Sequence, residues 1–437
     1  MTGVDTSLSD SNNAEAQAEA KKILNSQDPL LGVKKHLDNI IAGEDENKKT
    51  VFVLLLSGKK WVPAYLKAMI IISGEPAAGK TTLMEIAKIF QTKEVGRFSK
   101  HALDYSDLEN YEVLMIKELG VMDKEDYGVS TLKFLSTDDQ GYSAEVVEKG
   151  ESGGWKTARY NIPAITVITS TTRVDLDSQL ERRGWLVNPD ETSSQTKKIR
   201  ELKARVEKER MLVAAGKMKI TSKDRSLLVL KALVNSLEQI DVIVPFPKAL
   251  MEFLGEDHLR VRGDYDKIIS VCKLYGILKQ RTLLKVKVDN KTLGVLMPDD
   301  AIEILQIAEK SLVTMESGLE ARTRKLIPAL KAHGLTNVGD VIWKDQREAL
   351  ATSLGRSEQT IRKYLHQWAT RGYVASDGKI PATYTLLLPL EEIERRTSAV
   401  MLQKEDEAGL KQKMVDEAKE FLGELGDIEM CFSNYQP

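Results

Sequence analysis

The stretch Gly74-Glu75-Pro76-Ala77-Ala78-Gly79-Lys80-Thr81 limits what this chain can fold into more than any other part of it. It satisfies G-x-x-x-x-G-K-[ST], with the apolar run Ala68–Ile72 before it and a helical pattern over Thr82–Phe90 after it. Strand, glycine loop and helix in that order form a phosphate cradle. The glycines let backbone N–H groups close around phosphate oxygens, and the helix N-terminus adds partial positive charge. Lys80 adds a point charge at the β- and γ-phosphates, and the Thr81 hydroxyl can ligate Mg²⁺. ATP and Mg²⁺ are therefore the expected ligands, held by Gly74, Glu75, Pro76, Ala77, Ala78, Gly79, Lys80, Thr81 and Thr82.

Hydrolysis needs more than a cradle. An acidic residue after a second apolar strand can hold the metal through water or orient the attacking water. Val113-Leu114-Met115-Ile116-Lys117-Glu118 supplies Glu118 for that role, with Lys117 in the place an aspartate usually fills. A third apolar strand, Ala164–Thr169, runs into Ser170-Thr171-Thr172, which puts Thr171 in a sensor-like position near the terminal phosphate. Soon after comes Leu180-Glu181-Arg182-Arg183-Gly184-Trp185. In oligomeric ATPases an arginine at this point reaches the neighbouring subunit's phosphate, which implies a ring or filament.

The rest of the chain gives the organisation. Its 437 residues allow two to four domains at roughly 100 to 200 residues each. The net charge of -2 predicts no nucleic-acid or membrane partner by itself. Local balance differs: residues 321–373 hold ten Lys/Arg against four Asp/Glu, while 391–437 hold six against twelve. Cys272 and Cys431 are too far apart and too isolated for a zinc or disulfide framework. The first 25 residues lack a signal-peptide core, and the longest apolar runs, Val51–Leu56 and Ala68–Ile72, are too short to span a membrane. A soluble, cytoplasmic protein is expected. The pattern predicts a flexible or weakly helical leader over 1–25, an α/β ATPase core over 26–235 and a helical lid over 236–315. A β-hairpin is expected over Tyr142–Tyr160.

Beyond 316 come helix patterns over Ala321–Ala332, Lys344–Leu354 and Ser357–Arg371, then strand patterns at Tyr373–Ala375 and Thr383–Leu388 around Asp377-Gly378. Three helices and a hairpin are the α+β winged helix-turn-helix pattern, expected over 316–390, with an acidic helical tail over 391–437. Gln359, Thr360, Arg362 and Lys363 would lie on the exposed face of the third helix as DNA contacts, while Ile361, Tyr364, Leu365 and Trp368 point inward. Winged helices also serve as protein-binding modules, and Glu358 is placed to repel phosphate.

The chain resembles the AAA+ ATPases, and more narrowly the helicase part of the primase-helicases of phages, plasmids and integrated elements, over about residues 28–285. Gly43-Glu44-Asp45-Glu46-Asn47 is similar to that family's G-E-x-x-N, and Lys117-Glu118-Leu119-Gly120 to its E-x-x-G. Thr171-Thr172, Arg183, Asp190-Glu191-Thr192 and Gln195-Thr196 follow the family order of sensor strand, arginine finger and D-E-S…Q-T. The resemblance implies Arg183, rather than Arg182, as the finger. Arg260-Val261-Arg262-Gly263-Asp264 looks like R-x-R-R-D, which makes Arg260 and Arg262 candidate nucleotide sensors on the lid. Similarity to superfamily 3 and minichromosome-maintenance helicases implies a hairpin in a central pore, where Lys149, Lys156 and Arg159 would track single-stranded DNA.

No primase module or zinc-binding cysteines precede the ATPase in this sequence, so a primase would be a separate partner. The expectation is an AAA+ P-loop core with helical lid and winged helix, acting as a hexameric, ATP-driven DNA helicase of a mobile genetic element. Two alternatives stand beside it: a replication initiator or helicase loader, and an ATP-switched DNA-binding transcription regulator.

Overall fold

In the computed structural model, strand β1 (Met69–Ser73) is buried along its whole length, as its β-branched isoleucines favour. The structure describes residues 4–96, 107–119, 132, 135, 141–149, 155–172, 178–254, 261–288, 291–317, 319, 321–397 and 404–424. Strands β2 (Thr92–Val95), β3 (Val113–Ile116), β6 (Thr166–Thr171) and β7 (Gly184–Val187) join β1 in a parallel sheet of order β2-β3-β6-β1-β7. Both faces of this α/β sheet are covered, which is why β1 and β3 read as near-continuous apolar runs. Ile70 and Ile72 enter the large hydrophobic cluster on one face, and Met69 and Ile71 a smaller cluster on the other. Between β3 and β6, strands β4 (Tyr142–Lys149) and β5 (Trp155–Ile162) pair antiparallel.

The amino-terminal segment departs from the expected flexible leader. Val4–Leu24 is a helix that packs on the helix Ser222–Asn235 and buries Ala16, Ala20, Ile23 and Leu24. Those positions share one helical face, but two are alanines, so the stripe carries little hydrophobic signal. Asp28 then caps the helix Pro29–Leu37 by accepting the Leu31 N–H at 2.8 Å.

The segment expected as a purely helical lid contains a small sheet. Strands β8 (Asp241–Ile243), β9 (Leu284–Val288) and β10 (Lys291–Val295) lie in the order β8-β10-β9; in the chain β8 precedes the helix Val261–Leu278, and β9 and β10 fall between it and the helix Pro298–Ser317. Leu284-Lys285-Val286-Lys287-Val288 alternates with period two, the signature of a half-buried strand.

The C-terminal module has its own core, which includes Leu326, Leu330, Leu350, Leu365 and Trp368. Its helices Ala321–Arg324, Leu326–Ala332, Lys344–Leu354 and Glu358–Thr370 pack with strands β11 (Val341–Ile342), β12 (Val374–Ser376) and β13 (Tyr384–Leu386), in the order β11-β13-β12. Gly355, at φ 61, ends the third helix in the left-handed region, and Ser357 caps the fourth by accepting the Thr360 N–H at 3.2 Å.

The acidic tail is not a single appendage. Helix Leu390–Thr397 packs into the C-terminal module through Leu390 and Ile393. Helix Lys404–Glu424 instead buries Leu410, Met414, Ala418 and Leu422 in the large cluster that also holds β1, the core of a first unit built from residues between Ala16 and Leu312.

Candidate nucleotide site

The loop after β1 has the geometry of an anion cradle. Ala77 and Gly79 adopt positive φ, 66° and 86°, and an added Cβ at Gly79 would meet open space. The left-handed backbone, rather than crowding, explains a glycine there. Helix Lys80–Met84 starts at once, with Thr81 and Thr82 exposed. It tightens into a 3-10 turn over Glu85–Ile89 instead of running on as an α-helix to Phe90. The Lys80 ammonium donates to Gly74 O at 2.9 Å and Glu75 O at 2.6 Å, inside the loop it is expected to serve. Burial, seconded by the nearby Arg322 charge, holds this ammonium below the usual lysine range.

The carboxyl ends of the neighbouring strands close the site. The Leu119 N–H donates to Ser170 O at 2.8 Å and the Ser170 hydroxyl to Lys117 O at 2.6 Å, which ties the ends of β3 and β6 together. Glu118 sits exposed at this junction, with its charge felt by Lys80. Lys117 turns away and pairs with Glu94 of β2 at 2.5 Å. Thr171 is fully buried at the end of β6, and its carbonyl accepts the Gly74 N–H at 3.3 Å. The structure thus brings together the phosphate loop, Glu118 and Thr171.

Arg183 lies elsewhere. Gly184, the next residue, pairs with Met69 at the start of β1, whereas the phosphate loop leaves from the other end at Ser73. Arg182 is exposed and Arg183 half-buried, and both line a cleft with Tyr65, Lys67, Trp185 and Tyr265. Arg260 lies outside the described residues, as do the side chains of Arg262, Lys149 and Lys156. Arg159 is exposed on the hairpin and donates to the Ser143 hydroxyl at 2.8 Å. Gln359, Arg362 and Lys363 are exposed on their helix and Thr360 is half-exposed. Glu358 is engaged by the buried Arg347 at 2.7 Å, which ties it into the module.

A cleft of about 630 Å³ opens beside the loop, lined by Ile40, Ile41, Ala78, Gly79, Thr81, Gln195, Ile199 and Val206. Its apolar wall next to backbone donors fits a heterocyclic base joined to a phosphate chain. No group of three or more His, Cys, Asp or Glu that could hold a metal occurs among the described residues. The oxygen donors Thr81 and Glu118 instead fit a Mg²⁺ that arrives with phosphate and keeps part of its water.

No family model matches the chain, and no curated protein matches it. Among solved structures it is similar to the SCCmec type IV Cch active helicase. That alignment has 10% identity and a TM-score of 0.31, covering 82% of this chain and 72% of that one. It is also similar to an inhibitor-bound JCV helicase, with 16% identity and a TM-score of 0.25, covering 50% of this chain and 61% of that one. Likeness of this degree gives no residue a role.

Four residues to which sequence reasoning gives no role at this site reach the phosphate loop or the residues around it, and all belong to the C-terminal module. The Tyr364 hydroxyl, expected only in the module core, donates to Glu75 Oε1 at 2.8 Å. Burial first, then this bond, raises its phenol above the usual range. Lys325 pairs with Glu191 at 2.9 Å, and Arg356 approaches the same carboxylate at 3.7 Å. Glu191 in turn accepts the Glu75 N–H at 3.1 Å. Arg322 donates to the Ser73 hydroxyl at 3.1 Å and to Thr172 O at 3.0 Å. The only sequence signal for these contacts was the basic excess of residues 321–373, which reads equally well as an exposed DNA-binding face.

Proposed function

We propose that the chain is an AAA+ ATPase that couples Mg²⁺-ATP hydrolysis to movement on DNA, as a ring-forming helicase. The observation that carries this reading is the convergence of the phosphate loop, Glu118 and Thr171 at the carboxyl ends of three adjacent parallel strands. Crevices at that edge of an α/β sheet are where such folds bind ligands. Lys80 and the loop N–H groups bind the phosphates, Thr81 and Glu118 hold the metal, and Glu118 and Thr171 position the lytic water. Arg183 acts on a neighbouring subunit's nucleotide, which requires a closed assembly, read as a hexamer.

The lid arginines Arg260 and Arg262 contact nucleotide, and the hairpin residues Lys149, Lys156 and Arg159 line the pore. The C-terminal module, read as a winged helix, grips duplex DNA through Gln359, Thr360, Arg362 and Lys363. The resemblance to mobile-element helicases supports a replicative role, with any primase a separate partner. A second reading, an ATP-switched DNA-binding regulator, gains support from one contact, the Tyr364 bond to Glu75 of the phosphate loop.

The test measures ATP hydrolysis and forked-duplex unwinding for the full chain and Lys80→Ala. The helicase reading expects hydrolysis stimulated by single-stranded DNA, unwinding that depends on ATP, and loss of both in the variant. Hydrolysis without unwinding, stimulated by one specific duplex, selects the regulator. Absence of ATP binding by the wild-type chain would falsify both.

A further inference from the structure

We infer that Arg322 is a phosphate-contacting residue that the C-terminal module supplies in cis to the nucleotide site. Through it, the presence of a terminal phosphate is reported to that module. The inference rests on the nucleotide reading above and adds to it a residue and a coupling route.

Position is the first argument. Arg322 is only 4% exposed, and its guanidinium spans the carboxyl ends of β1 and β6 through Ser73 and Thr172. Ser73 is the last residue before the phosphate loop, and Thr172 follows the sensor-position Thr171. A triphosphate held by the loop places its far end over this same pair of strands, because the cradle fixes the phosphate chain at the start of the helix Lys80–Met84.

Charge is the second. Arg322 donates to the Ser73 hydroxyl and Lys80 to the carbonyl of the next residue, Gly74, so two cations converge on one turn of the chain. The carboxylates felt by Lys80 are Glu118, Glu191 and Glu75. Of these, Glu191 is paired to Lys325 and Glu75 accepts from Tyr364. A polyanion between Lys80 and Arg322 relieves the repulsion, and the planar guanidinium suits the terminal phosphate oxygens.

Mechanical linkage joins Arg322 to the rest of the module. Arg322 lies in a short helix of the module, and the module also holds the loop through Tyr364 on Glu75 and, one step removed, through Lys325 and Arg356 on Glu191, which accepts the Glu75 N–H. A group that draws Arg322 toward phosphate therefore shifts the load on the other three contacts, so ATP and ADP favour different placements of the module. A ligand moves such an equilibrium only by its differential contacts, and the terminal phosphate provides one.

The experiment measures binding of Mg²⁺-ATPγS and Mg²⁺-ADP to the full chain, to Arg322→Ala and to Arg322→Lys. Transfer efficiency between one dye on the first unit and one on the C-terminal module is recorded alongside. Expected for Arg322→Ala is a loss of about tenfold or more in ATPγS affinity, the scale of one hydrogen bond to a charged group, with ADP affinity changed less than about twofold. Arg322→Lys should fall between, and the ATPγS-dependent change in transfer seen in the wild type should vanish in the alanine variant. If the alanine variant does not fold, the lysine variant carries the test by the same ATPγS-over-ADP selectivity. Equal losses for both nucleotides, or none, overturn the inference. A wild-type chain that binds neither nucleotide sinks the parent reading instead.

Discussion

Arg183 and Lys80 stand at opposite ends of strand β1. The residue after Arg183 is paired with Met69, while Lys80 follows the loop that leaves from Ser73. At about 3.3 Å per residue, the strand alone puts more than ten ångströms between their levels. Arg183 is therefore badly placed to serve the phosphate loop of its own chain.

That geometry predicts complementation. Arg183→Ala should bind ATP and lose hydrolysis by ~10³ or more. Lys80→Ala should lose binding but keep a good arginine. Mixed one to one before assembly, the two dead variants should recover up to about a quarter of wild-type hydrolysis, because a site then needs one subunit of each kind. No recovery, with mixed assemblies shown to form by mass spectrometry, rules out action between subunits.

Much of the sheet was legible because buried parallel strands leave unbroken apolar runs. Met69–Ile72 and Val113–Ile116 announce themselves this way, while β6 mixes Val167 and Ile168 with four hydroxyl residues. Strand β2, Thr-Lys-Glu-Val at the sheet edge, is polar and half-exposed, and carries no such mark. The strand, loop and helix around Gly74–Thr81 were legible because that motif is local. The contacts that fix its surroundings are not local. Glu44 accepts the Asp190 N–H at 2.7 Å, and Asn47 donates to Glu44 at 2.6 Å and to Asn188 O at 2.8 Å. Gln195 donates to Ala42 O at 2.6 Å and lies against Gly43, which has no Cβ to obstruct it. Separate motifs in the sequence are thus one interlocked clamp, which only the fold reveals. The C-terminal contacts are harder still, since a basic residue facing a carboxylate and one facing solvent look alike in a sequence.

Glu191 gives a pH prediction for that docking. Burial works against its ionisation, but the Lys325 bond, the Glu75 N–H and the Arg356 charge outweigh it, so its carboxyl lies below the ordinary value of 4.5. A depressed folded pKa means the carboxylate's contribution is complete above about pH 4.5 and fades as pH falls through the lower folded value. Thermal melts of wild type and Glu191→Gln should differ near neutrality, by about 1 kcal/mol or less because Lys325 is half exposed, and should converge in acid. A gap that widens in acid contradicts the pairing.

Cys272 offers a check on the first unit's core. The thiol is fully buried, and burial pushes its pKa up to about 12. Because the thiolate is the reactive species, iodoacetamide at about pH 8 should leave the Cys272 peptide unmodified in the native chain and label it after denaturation. Rapid native labelling would show that the helix Val261–Leu278 is not packed as described.

The helix Lys404–Glu424 makes the last prediction, because its role differs from that of a solvated acidic tail. The Glu417 carboxylate accepts the Lys248 and Ala249 N–H groups, each at 2.8 Å, at the start of the helix Pro247–Leu254. It therefore serves as an N-cap from a distant part of the chain, and its charge also suits that end of the helix dipole. Glu417→Ala removes both acceptors and should lower stability by about 0.5–2 kcal/mol. Glu420→Ala, three residues on, lies on the exposed side and serves as the control, with little change expected. Urea unfolding followed by circular dichroism separates the two variants. Equal midpoints would mean that the tail does not cap this helix in solution.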